Sequence, residues 1–287
     1  MESSNNFGAL PLEYTNQENA KVVIIPVAFD GTSTWCKGAD KGPSAIIEAS
    51  ENMELYDIET DSEVYKHGIY TADTYEGMLF PEDMVKAVNR ETEYYINKGK
   101  FVVTVGGEHS VSIGAIKAHA DAYPGLTVLQ LDAHADLREK YENSKYNHAC
   151  VMARARECSQ VVQVGIRSMD ISEKETLDES KVFYASDIAG RTDWFAEAIS
   201  KLSDQVYITI DLDVFDPSIM PSTGTPEPGG LLWYETLGFL KKVITEREIV
   251  GFDVAELCPN KINKAPDFMA AKLIYKLLSY KFGDSNE

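Results

Sequence analysis

The sequence predicts an α/β fold, with a single domain built on a mostly parallel sheet that carries helices on both faces. Short β-branched apolar runs recur along the 287 residues, and helical patterns separate them. Strands that are apolar throughout are buried on both faces, and their alternation with helices is typical of a parallel sheet. No repeat or change in composition marks an internal boundary. Residues 1–287 are therefore assigned to one domain, in which 1–20 form an N-terminal extension.

Six apolar runs are predicted to be strands, because each is nearly continuous and lacks the alternation of a half-exposed strand. They cover residues 21–26, 101–105, 126–131, 160–165, 206–210 and 248–254, and 181–184 is a weaker seventh candidate. Strand–helix alternation throughout the chain then places the connecting helices on the two faces of the sheet.

Helices are predicted between these strands from their end signals and buried stripes. Pro81 opens one helix as a first-turn proline, and Gly99 ends it. Asp267 is predicted to cap the last helix. Further helical segments are expected after Gly42, Ser110, Arg191 and Leu232. The predicted stripes are Met84, Val85, Val88, Tyr95 and Ile96 in the first helix, and Met269, Ala270, Leu273, Ile274, Leu277 and Leu278 in the last.

Composition and charge exclude several classes of protein. No apolar run approaches the roughly 20 residues of a membrane span, and the first residues lack the features of a signal peptide, so a cytoplasmic protein is expected. The net charge of −19 argues against nucleic-acid binding. The same charge could attract a cationic substrate or serve solubility alone. The four cysteines are scattered, which indicates reduced thiols rather than disulfides or a zinc site.

Residue types that commonly bind metals follow three of the predicted strands. The strand 101–105 is followed by GGEHS with His109, 126–131 by DAHAD with Asp132, His134 and Asp136, and 206–210 by DLD with Asp211 and Asp213. Open parallel sheets bind ligands beyond the carboxyl ends of their strands, and alternate residues of an extended chain project to one side. The paired glycines would allow a sharp turn and a close approach to a ligand. We therefore expect the four carboxylates and two imidazoles to converge.

Such a cluster needs cations. Four carboxylates packed together without them would repel one another and take up protons. Two divalent ions remove that conflict. Oxygen ligands with some imidazole and no thiolate suit Mn²⁺ better than structural Zn²⁺, while Ni²⁺, Co²⁺ and Fe²⁺ stay open. The sequence thus predicts a centre with two Mn²⁺ ions per subunit.

The order and spacing of these motifs resemble the ureohydrolase family, which includes arginases and agmatinases. The resemblance covers nearly the whole chain and extends to FDGTS at 29–33, KGP at 41–43, TGTPEPGG at 223–230 and DVAELCP at 253–259. It implies an arginase-like three-layer α/β/α fold and a metal-dependent hydrolase that acts on linear amidines. Two positions depart from the family pattern: Ala149 replaces a usual glycine, and Glu108 stands where many members have Asp.

The family's roles carry over to matching positions. The first Mn²⁺ would be held by His109, Asp132, Asp136 and Asp211, and the second by Asp132, His134, Asp211 and Asp213. A hydroxide that bridges the two ions would attack the substrate. The resemblance places His148, Glu256 and Asp136 in the catalytic set, with His148 carrying a proton to the leaving amine and Glu256 receiving the guanidinium. The substrate-binding set is Glu256, Thr225, Glu227 and His148, whereas His67 and His119 match nothing in the family and need only surface or helix positions.

The residues around His148 favour agmatine as the substrate. Arginases have a Ser-Gly-Asn-x-His-Gly loop that binds the amino-acid end of arginine, whereas residues 144–148 of this chain are SKYNH. We therefore predict hydrolysis of agmatine to putrescine and urea, a step of polyamine biosynthesis. Arg138, Lys140 and Lys145 leave a 4-guanidinobutyrate or arginine site open, because they could meet a carboxylate.

Other functions stay open at this level. One is a formiminoglutamase-like hydrolase or a metal-dependent deacetylase. Deacetylases of that lineage use one metal, so a single tightly bound zinc per chain would favour the deacetylase. Another is a catalytically inactive family member kept as a binding subunit, although no ligand position is missing here. The resemblance also implies a homo-oligomer, a trimer or hexamer, while the net charge and the lack of a long apolar run predict no nucleic-acid or membrane partner.

Overall fold

A computed structural model describes residues 6–283, and its strands form one sheet in the order β2-β1-β3-β8-β7-β4-β5-β6. Every pairing between these strands is parallel. The prediction of an α/β fold on a parallel sheet is confirmed. The strands are β1 (Val22–Val27), β2 (Ile69–Thr71), β3 (Phe101–Gly106), β4 (Thr127–Leu131), β5 (Gln160–Ile166), β6 (Val182–Tyr184), β7 (Gln205–Asp211) and β8 (Glu248–Ala255).

Eight α-helices accompany the sheet in the described part of the chain. They are α1 (Gly42–Ser50), α2 (Pro81–Asn97), α3 (Ser112–Ala122), α4 (Val151–Ala155), α5 (Ala185–Ile188), α6 (Phe195–Ser200), α7 (Trp233–Glu246) and α8 (Ala265–Phe282). The sequence did not predict β2, α4 or α5, which are too short for a period to be recognised. All the longer helices were expected.

The predicted cap of the last helix is wrong. Helix α8 begins at Ala265 with Lys264 as its N-cap, and Asp267 lies inside the first turn. The Asp267 carboxylate accepts a hydrogen bond from Lys264 Nζ at 2.9 Å. Pro266 accounts for the earlier start, because its fixed φ suits the first helical turn and it has no N–H that needs a partner there.

Alternate residues of each central strand face two separate apolar clusters, one on each side of the sheet. In β1, Val22 and Ile24 pack in the cluster that α7 and α8 cover, whereas Val23 and Ile25 pack in the cluster that α2 and α3 cover. This two-sided burial explains why the strands are continuously apolar. The predicted helix stripes lie in these clusters, and only Ile96 and Met269 are partly exposed.

The described part of the predicted N-terminal extension packs against the domain. Phe7 and Leu10 are buried in the cluster beneath α8. The N–H of Phe7 donates to Thr71 Oγ1 at 3.0 Å, and that of Gly8 to Ser50 Oγ at 2.8 Å. Residues 1–5 of the extension lie outside the described residues. Within 6–283, no helix combines the length and apolar character that crossing a bilayer requires.

The four central strands of the sheet are β3, β8, β7 and β4, in that order. Strands β3 and β4 follow each other in the chain, but β7 and β8 later insert between them. Because all strands are parallel, the residues after these four strands meet at one edge of the sheet.

Candidate active site

The predicted functional residues follow the four central strands. His109 comes after β3, Asp132 after β4, and Glu256 after β8, while Asp211 is the last residue of β7. The register pairs Leu131 with Ile210 and Asp211 with Ala255, so Asp132 and Asp211 begin at the same level of the sheet and Glu256 lies one residue further along. Three separate segments of the sequence therefore converge by strand pairing alone.

A first group of side chains surrounds the imidazole of His109. Its Nδ1 atom lies 3.0 Å from Asp136 Oδ2, 3.2 Å from Asp132 Oδ2 and 3.5 Å from Asp211 Oδ2. All four side chains are buried. His109, Asp132 and Asp211 offer ligand atoms close enough together to hold one metal ion.

A second group lies on the other side of Asp132. His134 Nδ1 is 2.9 Å from Asp213 Oδ2 and 3.7 Å from Asp132 Oδ1. Asp132, His134 and Asp213 form another set that could hold a metal ion. Asp132 directs one carboxylate oxygen to each group, so a shared ligand joins the two. All of the residues predicted to bind metal are thus brought together.

Asp136 and Asp213 reach the cluster by turns rather than by the two-residue period expected of extended chain. Asp136 has a left-handed backbone with φ of 52°, and its carbonyl accepts hydrogen bonds from the N–H groups of Met152 and Ala153. Asp213 lies in one turn of 3₁₀-helix, and its N–H donates to Asp211 Oδ1 at 2.9 Å. A non-glycine residue at positive φ is strained and persists only where its surroundings hold it. The expected convergence is confirmed, but its predicted cause is wrong for these two residues.

The glycine before Glu108 serves the packing of two loops. A Cβ atom on Gly107 would lie 2.1 Å from the carbonyl oxygen of Phe29. The N–H of Glu108 donates to that same oxygen at 2.9 Å. The sequence suggested a close approach to a ligand; the close approach is instead to the loop after β1, and it fixes the direction of the chain into His109.

Electrostatics mark the cluster as one that needs cations. Burial and the charge of Asp132 raise the pKa of Asp136 to about 7. Burial and the neighbouring carboxylates of Asp213 and Asp132 raise the pKa of Asp211 well above its usual value. Carboxyls outnumber imidazoles here, and the ligand sets found among the described residues contain no thiolate. An oxygen-rich donor set with some imidazole fits hard or borderline divalent ions.

A buried hydrogen-bond network, not predicted from the sequence, supports His109 from behind. His109 Nε2 lies 2.9 Å from Thr209 Oγ1, which donates to Asp253 Oδ1 at 2.8 Å. Asp253 also accepts from Ser112 Oγ at 2.8 Å and from Tyr207 OH at 2.7 Å. The sequence feature that pointed to this network is Asp253, an acidic residue inside the apolar strand β8, because a buried charge needs partners.

A cavity of about 310 Å³ opens beside the two groups, and Thr225, His148 and Glu256 line it. Glu227, the other residue predicted to bind substrate, has a carboxylate oxygen 3.9 Å from His134 Nε2. Its backbone carbonyl accepts a hydrogen bond from Arg167 at 2.9 Å. The predicted substrate loop therefore lies next to the ligand groups.

Within residues 6–283, one carboxylate oxygen of Glu256 accepts a hydrogen bond. It has a left-handed backbone with φ of 69°, and its N–H donates to Gly107 O at 2.7 Å. Oε1 accepts from the N–H of His109 at 2.6 Å, while Oε2 lies on the side of Gly224, which also lines the cavity. Burial and the nearby charge of Glu108 raise the pKa of Glu256 well above its usual range. A cation in the cavity would relieve that cost.

His148 contacts a second buried network that the sequence did not reveal. Its Nδ1 atom lies 3.1 Å from Thr32 Oγ1, and its backbone N–H donates to the same oxygen at 3.0 Å. Thr32 Oγ1 donates to Glu108 Oε1 at 2.7 Å. Burial, and the positive charges of His134 and His109, lower the pKa of His148 to about 4. Both partners lie in segments that carry the family resemblance, FDGTS and GGEHS, but only the structure joins them.

Arg138 lines the cavity but is already paired. Its guanidinium lies 3.5 Å from Asp170 and 3.9 Å from Glu173, and it covers the ring of Tyr141 at 4.6 Å. Lys145 is directed to the ring of Tyr146, 5.0 Å away. Of Arg138, Lys140 and Lys145, the three cations that the sequence left open as partners of a substrate carboxylate, Arg138 lines the cavity, and acidic neighbours offset its charge.

Comparison with known proteins agrees with this geometry. The model of the arginase family matches residues 20–279. The chain belongs to the arginase family. The resemblance to ureohydrolases and the expected hydrolase class are confirmed at that level, and so is the arginase-like fold.

Relatives of this arginase-family chain cover more than nine-tenths of its length. The N(1)-aminopropylagmatine ureohydrolase of Synechocystis sp. is 38% identical and covers 99% of this chain and 98% of its own. The agmatinase of Pyrococcus horikoshii is 33% identical, with 91% and 92% covered. The crystal structure of the agmatine ureohydrolase of Thermoplasma volcanium superposes with a TM-score of 0.85 at 30% identity, covering 94% of this chain and 92% of that one.

Proposed function

We propose that this chain hydrolyses the guanidino group of agmatine or of a close derivative, releasing urea and an amine. The observation that supports this most directly is the position of Glu256. Its carboxylate is buried, has one oxygen outside its hydrogen bond to His109, and lines a cavity beside two groups of metal-ligand side chains. A carboxylate in that setting is suited to a planar cation with several N–H donors.

We propose two Mn²⁺ ions as the cofactor. His109, Asp132, Asp136 and Asp211 would hold one ion, and Asp132, His134, Asp211 and Asp213 the other. When bound, such ions lower the pKa of water towards neutrality and offset charge that develops on the substrate. The ratio of carboxylates to imidazoles, and the absence of thiolate ligands from the two described sets, support this assignment.

The chain's own residues orient the substrate and move a proton. Glu256 would accept hydrogen bonds from the guanidinium and fix the reacting carbon next to the ligand groups. His148, which lines the same cavity, would give a proton to the departing amine. Asp136 would serve as a ligand and as a hydrogen-bond acceptor at that centre, where its carboxylate lies 3.0 Å from His109 Nδ1.

The cavity favours a substrate without a carboxylate. Asp170, Glu173 and Glu256 contribute acidic side chains to its lining, and the one arginine there, Arg138, pairs with two of them. Agmatine carries a guanidinium at one end and an ammonium at the other, whereas arginine and 4-guanidinobutyrate would bring a carboxylate to an acidic wall.

A second candidate substrate is N1-aminopropylagmatine. The name of the relative at 38% identity supports this compound. So do two acidic side chains that line the cavity, one buried and one partly exposed. Glu256 is buried, while Asp170 has a side chain that is 40% exposed. A longer polycation could place its guanidinium at Glu256 and its outer ammonium near Asp170. We propose that this derivative is preferred to agmatine.

Urea release from Mn²⁺-loaded protein tests the proposal. The substrates are agmatine, N1-aminopropylagmatine, arginine and 4-guanidinobutyrate, each over a range of concentrations. We expect kcat/KM to be highest for the two carboxylate-free compounds. Preference for arginine or guanidinobutyrate would overturn the substrate assignment, and no urea from any of them would favour an inactive binding subunit.

His148→Ala tests the proton role separately. The variant should keep the metal content of the wild type and lose about a hundredfold in kcat, as expected when a general acid is removed. A wild-type kcat would rule out the role of His148.

A further inference from the structure

We propose that Thr32 and Glu108 are positioning residues that hold His148 in the tautomer with its proton on Nδ1. The other ring nitrogen, Nε2, is then left for the substrate. The functional meaning of this arrangement rests on the proposed role of His148, but the tautomer itself follows from hydrogen bonds that do not depend on that role.

The argument begins at the hydroxyl of Thr32. Its oxygen contacts three partners: Glu108 Oε1 at 2.7 Å, His148 Nδ1 at 3.1 Å and the backbone nitrogen of His148 at 3.0 Å. A hydroxyl has one proton to donate and two lone pairs to accept with. The backbone N–H of His148 can only donate, so it takes one lone pair.

The hydroxyl proton goes to Glu108. This carboxylate is fully buried, and it accepts from the N–H of Thr32 at 2.6 Å, from Ser33 Oγ at 3.4 Å and from Ser110 Oγ. Donor groups fill both of its oxygens, the Thr32 N–H at Oε2 and the hydroxyls of Ser110 and Thr32 at Oε1, so the Thr32 hydroxyl donates its one proton to Oε1. The remaining lone pair of Thr32 therefore faces His148 Nδ1, which must carry a hydrogen for the contact to be a hydrogen bond.

Hydrogen bonds between two neighbouring loops hold the two supporting residues. Thr32 lies five residues beyond β1 and Glu108 two residues beyond β3, and these strands are paired over their full length. The N–H of Glu108 donates to Phe29 O at 2.9 Å, and that of Thr32 donates to Glu108 Oε2 at 2.6 Å. His148 comes from the long connection after β4, which contains little regular structure. One hydroxyl thus contacts both the backbone and the ring of His148.

The tautomer matters for proton transfer. A neutral imidazole has one donor nitrogen and one acceptor nitrogen, and the partner of one decides the chemistry of the other. With Nδ1 occupied, His148 can take up a proton only at Nε2 and deliver it from the same atom. A ring free to exchange tautomers would spend part of its time with the wrong nitrogen directed to the substrate.

Histidine ¹⁵N NMR tests the tautomer without any assay of activity. Protein loaded with diamagnetic Zn²⁺ and labelled at histidine gives ring-nitrogen signals for five residues, and the His148→Gln spectrum identifies those of His148. We expect a protonated Nδ1 and an unprotonated Nε2 in the wild type. The opposite tautomer of His148 in the wild type would overturn the proposal, whatever the variants of Thr32 do.

Variants of Thr32 link the tautomer to turnover. Thr32→Val removes the hydroxyl at nearly constant volume and should convert His148 to a mixture of tautomers, with kcat lowered about tenfold or more and KM little changed. Thr32→Ser should restore both properties. A matched control is Thr92→Val in α2, where the buried hydroxyl has no hydrogen-bond partner in the described part of the chain; it should leave the spectrum and kcat unchanged.

The outcomes separate this proposal from the proposed function. If Thr32→Val keeps the wild-type tautomer and kcat, Thr32 does not position His148. If kcat falls together with metal content and melting temperature while the tautomer is kept, Thr32 is only structural and the proposal is wrong. If the wild type releases no urea from any guanidine, the proposed function fails, whereas the NMR result still decides the tautomer.

Discussion

Thr209 presents its hydroxyl oxygen to Nε2 of His109 at 2.9 Å and donates its proton to Asp253. The donated proton leaves Thr209 only an acceptor towards His109, so Nε2 carries hydrogen and Nδ1 offers its lone pair to the ligand cluster. Both Thr209 and Asp253 are fully buried. Groups that orient a metal-binding imidazole in this way also tune its affinity for the metal.

Thr209→Val should therefore weaken metal binding. We expect an affinity for Mn²⁺ lower by about tenfold, since loss of such a supporting group costs about 10- to 100-fold. Competition with a metal-sensing dye measures it, and Thr209→Ser should bind as the wild type does. Equal affinity in Thr209→Val would show that the ring of His109 is held by its carboxylate neighbours alone.

Gly107→Ala should distort the approach to His109. The new methyl group would lie 2.1 Å from Phe29 O, a distance that backbone movement alone can relieve. Overpacking of this kind costs about 1–3 kcal/mol, which a denaturant titration would detect. Gly238→Ala in α7 is the control: the nearest atom to its Cβ is Phe195 Cε2 at 3.7 Å, and alanine in a helix interior should be neutral or stabilising. Equal stability of Gly107→Ala and the wild type would contradict the packing argument.

His119 should make the fold sensitive to mild acid. It is fully buried in α3, where Nδ1 lies 2.8 Å from Ala115 O, and burial lowers its pKa from 6.5 to about 4. The rings of Tyr207 and Tyr123 lie against it, and both have a raised pKa, so neither titrates in acid. The expected helix position is confirmed, but this histidine is a core residue.

Acid lowers the free energy of unfolding because the unfolded chain takes up a proton at His119 before the folded chain does. Below about pH 6.5 the unfolded chain binds a proton at His119, while the folded chain does not until about pH 4. The free energy of unfolding should fall across that window by at most about 1.4 kcal/mol per pH unit. The difference between wild type and His119→Gln in urea titrations at several pH values isolates this residue. A difference that does not change between pH 7 and pH 4 would refute it.

Asp170→Asn should reduce discrimination between substrates. If the exposed carboxylate of Asp170 meets the outer ammonium of N1-aminopropylagmatine, its loss should lower kcat/KM for that compound about fivefold, the value of a partly exposed ion pair. The effect on agmatine should be smaller. Glu175→Gln, a change at an exposed acid nearby in the sequence, controls for overall charge. Equal losses for both substrates would place the outer ammonium elsewhere.

Much of this architecture follows from local sequence. The continuous runs of Val and Ile predict doubly buried strands, and parallel pairing then places His109, Asp132 and Asp211 at one edge of the sheet. Their contact also requires the strand order β3-β8-β7-β4, which the sequence did not predict. Short elements such as β2 carry too few residues for a period. The supporting hydrogen-bond networks could not be predicted from the sequence for another reason. Thr32 and His148 are 116 positions apart, and only tertiary packing brings the Thr32 hydroxyl to both the His148 ring and Glu108.

The sequence also could not predict which residues depart from regular backbone conformation. Asp136 and Glu256 both have positive φ, although neither is glycine. Nothing local predicts such a conformation, because it is held by hydrogen bonds from Met152 to Asp136 and from Glu256 to Gly107. Both residues belong to the candidate site, where backbone strain is often concentrated.

Metal content per chain tests the central claim most directly. After loading with Mn²⁺ and removal of free ions, elemental analysis should find two ions per chain in the wild type. Asp132→Asn should lose both, because its two carboxylate oxygens face the two separate ligand groups. One ion or none in the wild type, or an unchanged content in Asp132→Asn, would contradict a paired-metal centre built on Asp132.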